Sequence, residues 1–342
     1  MLESTPGNLY WLSESEELMN KISQFFEILG LEFENSGGAF LVRCENTKEF
    51  FISNCNAIEH HFNSIAQDDI MVYASKPDQV FNFQSILKAK PLTRFVNLVR
   101  DNEFFDILNN ESLTSYFQPI INAKDHSIYG YEALIRGVKS TGELMYPDEL
   151  FLKSARNDCN FLLDRLCRES ALKTAAVKKI HQHVFINFLP TSIYDPEFCL
   201  KSTIKWANQL EFDPKNIVFE VVETESAKDQ EHLKTILKYY RNQGYKIALD
   251  DVGEGYSNLN MLIELRPDII KVDRNIIQNI HEDSFKQSIY KALSAISKEN
   301  GIAILAEGIE TPYELEVIKE LGVDYMQGYY FCKPQAEPIR KL

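Results

Sequence analysis

No two cysteines in this chain form a C-x-x-C pair. Cys44, Cys55, Cys159, Cys167, Cys199 and Cys332 are scattered over 342 residues, so neither zinc ligation nor a disulfide framework is indicated, and the thiols read as reduced and mostly buried. Long apolar runs are missing too. None approaches the roughly 18 to 20 residues that cross a bilayer, and the opening MLESTPGNLYWLSESEE has neither the basic nor the apolar region of a signal peptide. The expected address is cytoplasmic, without a membrane span. Basic stripes with interleaved aromatics are absent, and the formal net charge is −14, so the long-range field repels duplex nucleic acid. A small phosphorylated ligand is still compatible, because bound divalent cations reverse the potential inside an acidic pocket. There is no Gly-rich dinucleotide fingerprint, long Pro/Gly/Ser linker or internal repeat.

What is present is an alternation. From about Thr114 the β-like runs SYFQPII, IYGYEALI, HVFINFL, IVFEVV, KIALDD, DIIKVD, IAILAEG and YMQGYYF follow one another. Most are separated by segments such as QEHLKTILKYYRNQG, whose apolar residues recur at helical spacing. Eight strands over residues 113–342 fit a (β/α)8 barrel of the TIM type. The first two runs are separated only by NAKDHS, too short for a crossover helix, so that pair is expected to be antiparallel and the barrel modified at its first strand. Residues 1–90 read as a small α/β domain: LYWL, AFLVRC and DIMVYA as strands, a helix through Leu18, Ile22, Phe25, Phe26 and Leu29 ending near Gly30, and another near 47–66. A helix over 91–112, with Leu92, Phe95, Val96 and Val99 on one face, is expected to connect the two.

Chemistry in a parallel barrel sits at the C-terminal ends of the strands. Those positions carry Glu132, Asn187, Glu220, Asp250 with Asp251, Lys271, Glu307 and Gln327. Hard oxygen ligands without His or Cys favour Mg2+, Mn2+ or Ca2+, and two adjacent aspartates suit a bridged pair of ions about 3.5 to 4 Å apart. Taken singly each residue has a plain alternative: Asp-Asp before Gly reads as a turn or helix cap, Lys271 as a solvated lysine, Gln327 as a core amide. The set, acid or amide groups at six of the strand ends, favours a site.

These motifs, YFQPI, GYEALIRG, INFLP, FEVVE, LDDVGEGYSN, DIIKVDR, AEGIET and QGYYFCKP, occur in an order that resembles the EAL domains, the bacterial cyclic di-GMP phosphodiesterases. The resemblance covers about Thr114 to Pro334. It implies a modified barrel with an antiparallel first strand and two divalent cations, Mg2+ or Mn2+, with Ca2+ inhibitory. Glu132, Asn187, Glu220 and Asp250 match the ligands of one ion, and Asp250, Asp251 and Glu307 those of the other. Lys271 matches the lysine that orients the attacking water, and Glu310 and Gln327 match positions that hold water and neighbouring groups. Arg136 matches a substrate-phosphate clamp, and Gln118 lies in the motif bordering the ligand. Glu223 matches the glutamate that anchors the loop after the double aspartate.

The activity so implied is hydrolysis of cyclic di-GMP to linear pGpG by a homodimer associated through its barrels. The alternative is a catalytically silent cyclic di-GMP receptor that signals through protein contacts. The small N-terminal domain is expected to regulate. Departures from the family pattern are Val252 and Glu254 in the loop after the aspartates, and Gly137 where an aromatic residue commonly follows the arginine.

Overall fold

The structure, a computed structural model, describes residues 5–222, 230–253 and 258–342. The chain divides into two compact units, Met1–Phe105 with Ala155–Asn157, and Asp106–Ser154 with Asp158–Leu342.

The first unit is one antiparallel sheet with helices against it. Strands β1 (Gly7–Leu12), β2 (Phe33–Ser36), β3 (Ala39–Cys44), β4 (Met71–Ser75) and β5 (Lys90–Pro91) lie in the order β2-β3-β1-β4-β5. With helix Glu16–Ile28 after β1 and helix Thr47–His61 after β3, this is the split β-α-β arrangement of ferredoxin-like folds. Ser15 starts the first helix by accepting from Leu18 N. Its Ile22, Phe25 and Phe26, at helical spacing, join Trp11, Phe51 and Ile58 in the core.

Three features differ from expectation. β2, sequence FENS, is too polar to stand out and exists by pairing with β3. The helix expected near 47–66 is two, Thr47–His61 and Ser64–Asp69, because Phe62 turns extended and Asn63 caps a new start by accepting from Ala66 N at 2.8 Å. The expected connecting helix over 91–112 is also two, Leu92–Arg100 and Asn102–Asn109. The break is at Asp101, whose buried carboxylate accepts from Arg156 Nε and Asn157 Nδ2, each at 2.7 Å. Leu92, Phe95 and Val96 belong to the core of the first unit, where Phe95 stacks on Phe51 at 4.9 Å.

The second unit is the barrel. Its strands are β6 (Leu113–Asn122), β7 (Ile128–Val138), β8 (Leu144–Met145), β9 (His183–Asn187), β10 (Ile217–Val222), β11 (Lys246–Val252), β12 (Ile269–Val272), β13 (Ala303–Ala306) and β14 (Tyr325–Met326). All eight expected strands form, in the order β6-β14-β13-β12-β11-β10-β9-β7, and β6 closes the ring by pairing with β7. β6 runs antiparallel to both neighbours, while β7 and β9 through β14 are mutually parallel. The two-residue β8 extends β7 at the rim. It was not anticipated because a two-residue strand has no period to detect.

Alternation along the strands builds two cores. Ile120, Phe185, Val218, Ala248, Ile269 and Leu305 fill the barrel interior. Their neighbours Ile121, Ile186, Phe219, Leu249, Ile270 and Ala306 face outward into the layer under the helices. No helix among the described residues is long and apolar enough to cross a membrane.

Candidate active site

The period of two that fills the interior also selects the polar layer above it. Two residues beyond Phe185 on β9 is Asn187; beyond Val218, Glu220; beyond Ala248, Asp250; beyond Ile269, Lys271; beyond Leu305, Glu307; and beyond Tyr325, Gln327. β6 runs the other way, so Gln118 is reached two residues before Ile120, and it lies in register with Glu132 of β7. One strand-level rule therefore lifts the whole set to one mouth.

Lys271 stands at the centre of that layer. Its Nζ lies 2.6 Å from Glu220 Oε1, 2.8 Å from Glu307 Oε1, 3.0 Å from Asp250 Oδ1 and 3.9 Å from Glu132 Oε1. Burial by itself pulls the ammonium down, but the four carboxylates outweigh it and hold its pKa well above the usual lysine range. Burial pushes Glu220 and Glu307 far up; Lys271 opposes this, while Glu132 and Asp250 add to the rise. Around the lysine, Asn187 Nδ2 donates to Glu220 Oε2 at 3.0 Å and Glu132 Oε1 at 3.3 Å, and Gln327 Nε2 donates to Glu132 Oε2 at 2.6 Å.

The double aspartate is shaped by a register shift between Leu249 and Val252 where β11 pairs with β12. Asp251 takes φ +54°, a left-handed conformation that costs a non-glycine residue about 1 kcal/mol or more. Its amide donates to Asp250 Oδ1 at 3.0 Å. Carboxylate oxygens of Asp250, Asp251 and Glu307 lie within 4.8 Å of one another. Gly253 follows at φ +116°, a backbone conformation that strains any residue with a side chain, and a Cβ there would also come within 2.1 Å of Ile276 Cδ1. Val252, a departure from the family pattern, is fully buried in the outer core. Glu223, Glu254, Gly255 and Ser257 lie outside the described residues.

A cavity of about 260 Å3 opens over this layer, lined by Gln118, Glu132, Asp250, Asp251, Lys271, Glu307, Glu310 and Gln327 among others. Asp273, Arg274 and Tyr329 also line it. The strand-end rule does not reach them: Asp273 and Tyr329 lie one and three residues beyond their strands, and Arg274 opens the short helix Arg274–Ile277; DIIKVDR and QGYYFCKP contain them. Glu310 is held through its amide, which donates to Glu314 Oε2 at 2.9 Å. Glu314, unnoticed in the sequence and 2% exposed, also accepts from Asn279 N and Thr311 N. It ties the loop after β13 to the loop after the short helix Arg274–Ile277.

Arg136 is not among the residues that line this cavity. It is buried, its Nη1 donates to Ile135 O at 2.7 Å, and its guanidinium lies 5.2 and 5.0 Å from the rings of Tyr116 and Tyr146. A second, apolar cavity of about 220 Å3 reaches Asn187 and is walled by Leu134, Pro147, Phe151, Cys167 and Leu189.

The residues fit hard cations. Five carboxylates converge where one ammonium is the central positive charge, two of them are pushed toward protonation, and Gln327 Oε1 is buried without a hydrogen-bond partner. Oxygen-only donor sets of this kind take hard divalent cations such as Mg2+, Mn2+ or Ca2+.

Comparisons with known proteins agree with this geometry. Probable cyclic di-GMP phosphodiesterase PdeG of Escherichia coli K12 is 28% identical over 234 residues, covering 66% of this chain and 45% of that protein. Cyclic di-GMP phosphodiesterase PdeF of the same organism is 28% identical over 235 residues, covering 66% and 31%. The chain thus spans less than half the length of these curated relatives. Among solved structures, a standalone EAL protein from Vibrio cholerae O395, bound to c-di-GMP, is 40% identical, with a TM-score of 0.61 over 67% of this chain and 94% of that one. An EAL domain protein from Listeria monocytogenes EGD-e is 26% identical, with a TM-score of 0.61 over 69% and 94%. The EAL domain family matches residues 101–334, the span that holds the barrel and every described residue of the polar layer, and the chain belongs to that family.

Proposed function

We propose that the chain hydrolyses cyclic di-GMP to linear pGpG, assisted by two divalent cations, Mg2+ or Mn2+. The observation that carries this reading is the ring of carboxylates around Lys271 at the strand ends, under an open cavity. Glu132, Asn187, Glu220 and Asp250 would hold one ion, and Asp250, Asp251 and Glu307 the other. When bound, the ions would supply a water of lowered pKa and neutralise charge building on the phosphoryl oxygens.

The protein's own groups do the positioning. Lys271, fixed on three carboxylates at 3.0 Å or less, donates toward the attacking oxygen and stays protonated while doing so. Gln327 holds Glu132 in place. Arg136 offers the planar fork that suits a phosphodiester, Gln118 borders the ligand, and Glu310 holds water and neighbouring groups. The apolar cavity beside Asn187 has the character that accepts a purine face, so an extended dinucleotide can lie across both cavities. Regulation by the N-terminal unit and association into a homodimer through the barrel belong to the same proposal.

One assay tests it: purified protein with Mg2+ or Mn2+ and cyclic di-GMP, followed by chromatography. Linear pGpG supports the proposal. Nucleotide bound but uncut means a receptor, and no binding means a scaffold; either outcome overturns it.

A further inference from the structure

Arg136 is the proposed phosphate contact, yet its setting contains more than a lone guanidinium. Nη1 is spent on two backbone carbonyls, Leu134 O at 3.3 Å and Ile135 O at 2.7 Å. Nε is buried with no protein acceptor, a costly state unless an outside acceptor arrives. Two tyrosine rings flank the group at 5.2 and 5.0 Å. They come from opposite sides of β7. Tyr116 is on β6, diagonal to Arg136 on the same face, since Thr114 pairs with Arg136 and Tyr116 with Leu134. Tyr146 follows β8, whose pairing of Gly137 with Met145 brings the next residue alongside Arg136.

Gly137 packs closely beside this pair: a Cβ there would lie 2.9 Å from Ile107 Cδ1, 3.1 Å from Leu150 Cδ2 and 3.3 Å from Met145 Cβ, the residue of β8 next to Tyr146. Tyr146 is also 57% exposed. A ring left that open contributes little to the core, and its contact with the cation is the specific interaction it makes.

We propose that Tyr146, together with Tyr116, is a positioning residue: the two rings hold the Arg136 guanidinium by cation–π contact, presenting its remaining N–H groups to a phosphodiester oxygen of the substrate. This rests on the reading of Arg136 as the phosphate contact. The rings do not touch the reacting atoms, so their effect falls on binding and leaves the chemical step alone.

The test is a set of variants assayed for KM and kcat with cyclic di-GMP, and for Kd by titration calorimetry without added metal. Tyr146→Leu is expected to raise KM and Kd roughly three- to fivefold, the scale of one cation–π contact near the surface, with kcat within about twofold. Tyr146→Phe, which keeps the ring, stays at the parent values, and Tyr146→Leu adds nothing in an Arg136→Ala background. Unchanged constants for Tyr146→Leu, an equal loss for Tyr146→Phe, or an undiminished loss in the Arg136→Ala background overturns the proposal. Unchanged constants for Arg136→Ala alone overturn the phosphate-contact reading beneath it.

Discussion

Lys271 Nζ and Glu220 Oε1 meet at 2.6 Å with side chains that are 1% and 0% exposed. Lys271 is the cation that offsets Glu220 there, and Glu307 and Asp250 share it: an unpaired buried ion costs several kcal/mol, and removing one partner of a buried pair typically destabilises by about 3 to 5 kcal/mol. Lys271→Met is therefore expected to lower the melting temperature in EDTA and to reduce turnover at least ~100-fold through loss of charge stabilisation. Added Mg2+ should restore more of the melting temperature in the variant than it adds to the parent. A melting temperature in EDTA equal to the parent's argues against the lysine as the counter-charge of this layer.

Asp250 is proposed to serve both cations, and Glu132 one. Asp250→Asn and Glu132→Ala are each expected to cut turnover by at least ~100-fold, and to shrink the rise in melting temperature on adding Mn2+, which follows from binding to the folded state alone. Near-normal turnover in either variant sinks the ligand assignment.

Gly328 lines the cavity next to Gln327, and a Cβ there would sit 2.0 Å from Ile309 O and 2.4 Å from Ile309 N. Both atoms are backbone, and the segments are held together by Ile309 N donating to Gln327 O at 3.1 Å. Gly328→Ala must part them, at a cost of about 2 to 4 kcal/mol, read as a lower urea midpoint with an unchanged m-value. An unaltered midpoint would show that the loop yields freely.

His183 sits at the opposite end of the barrel, stacked on Tyr129 at 4.1 Å, with Lys246 donating to its Nε2 at 3.1 Å and Tyr129 O accepting from its Nδ1 at 3.3 Å. Burial lowers its pKa from the ordinary 6.5 and the Lys246 charge adds to this, against the Tyr129 carbonyl and Asp213; Tyr325 and Asp268 complete the surroundings through Tyr129. A depressed histidine pKa means the unfolded chain binds the proton more tightly, so stability present above about pH 6.5 is lost as pH falls toward the folded value. The urea midpoint should fall between pH 7.5 and 5.5 by more in the parent than in His183→Gln. Equal falls would remove His183 from the account.

Much of this site was legible because barrel strands obey one rule. Asn187, Glu220, Asp250, Lys271 and Glu307 each stand two residues beyond an interior-facing apolar residue, a relation visible as soon as the strands are recognised. Asp273, Arg274 and Tyr329 escaped it because they lie beyond the strand ends, Arg274 in a four-residue helix too short to show a period. Glu314 escaped because an acidic residue in the first turn of a helix reads as an ordinary capping-box partner. In the first unit, β2 is too polar to stand out until it pairs with the adjacent β3, the break at Asn63 is a short local cap inside an otherwise helical run, and only the break at Asp101 depends on residues distant in the chain, Arg156 and Asn157.

The amino-acid sequence by itself determined the alternation of strands and helices, the antiparallel entry forced by a six-residue connection, and the layer of acids and amides, since each follows from spacing along the chain. Tertiary structure alone decided that Lys271 is the centre of that layer, that Asp251 bends at positive φ to join Asp250 and Glu307, and that Tyr116 and Tyr146 close on Arg136. Those facts depend on which strand lies beside which and how closely, and ring closure sets such distances between residues up to about two hundred positions apart.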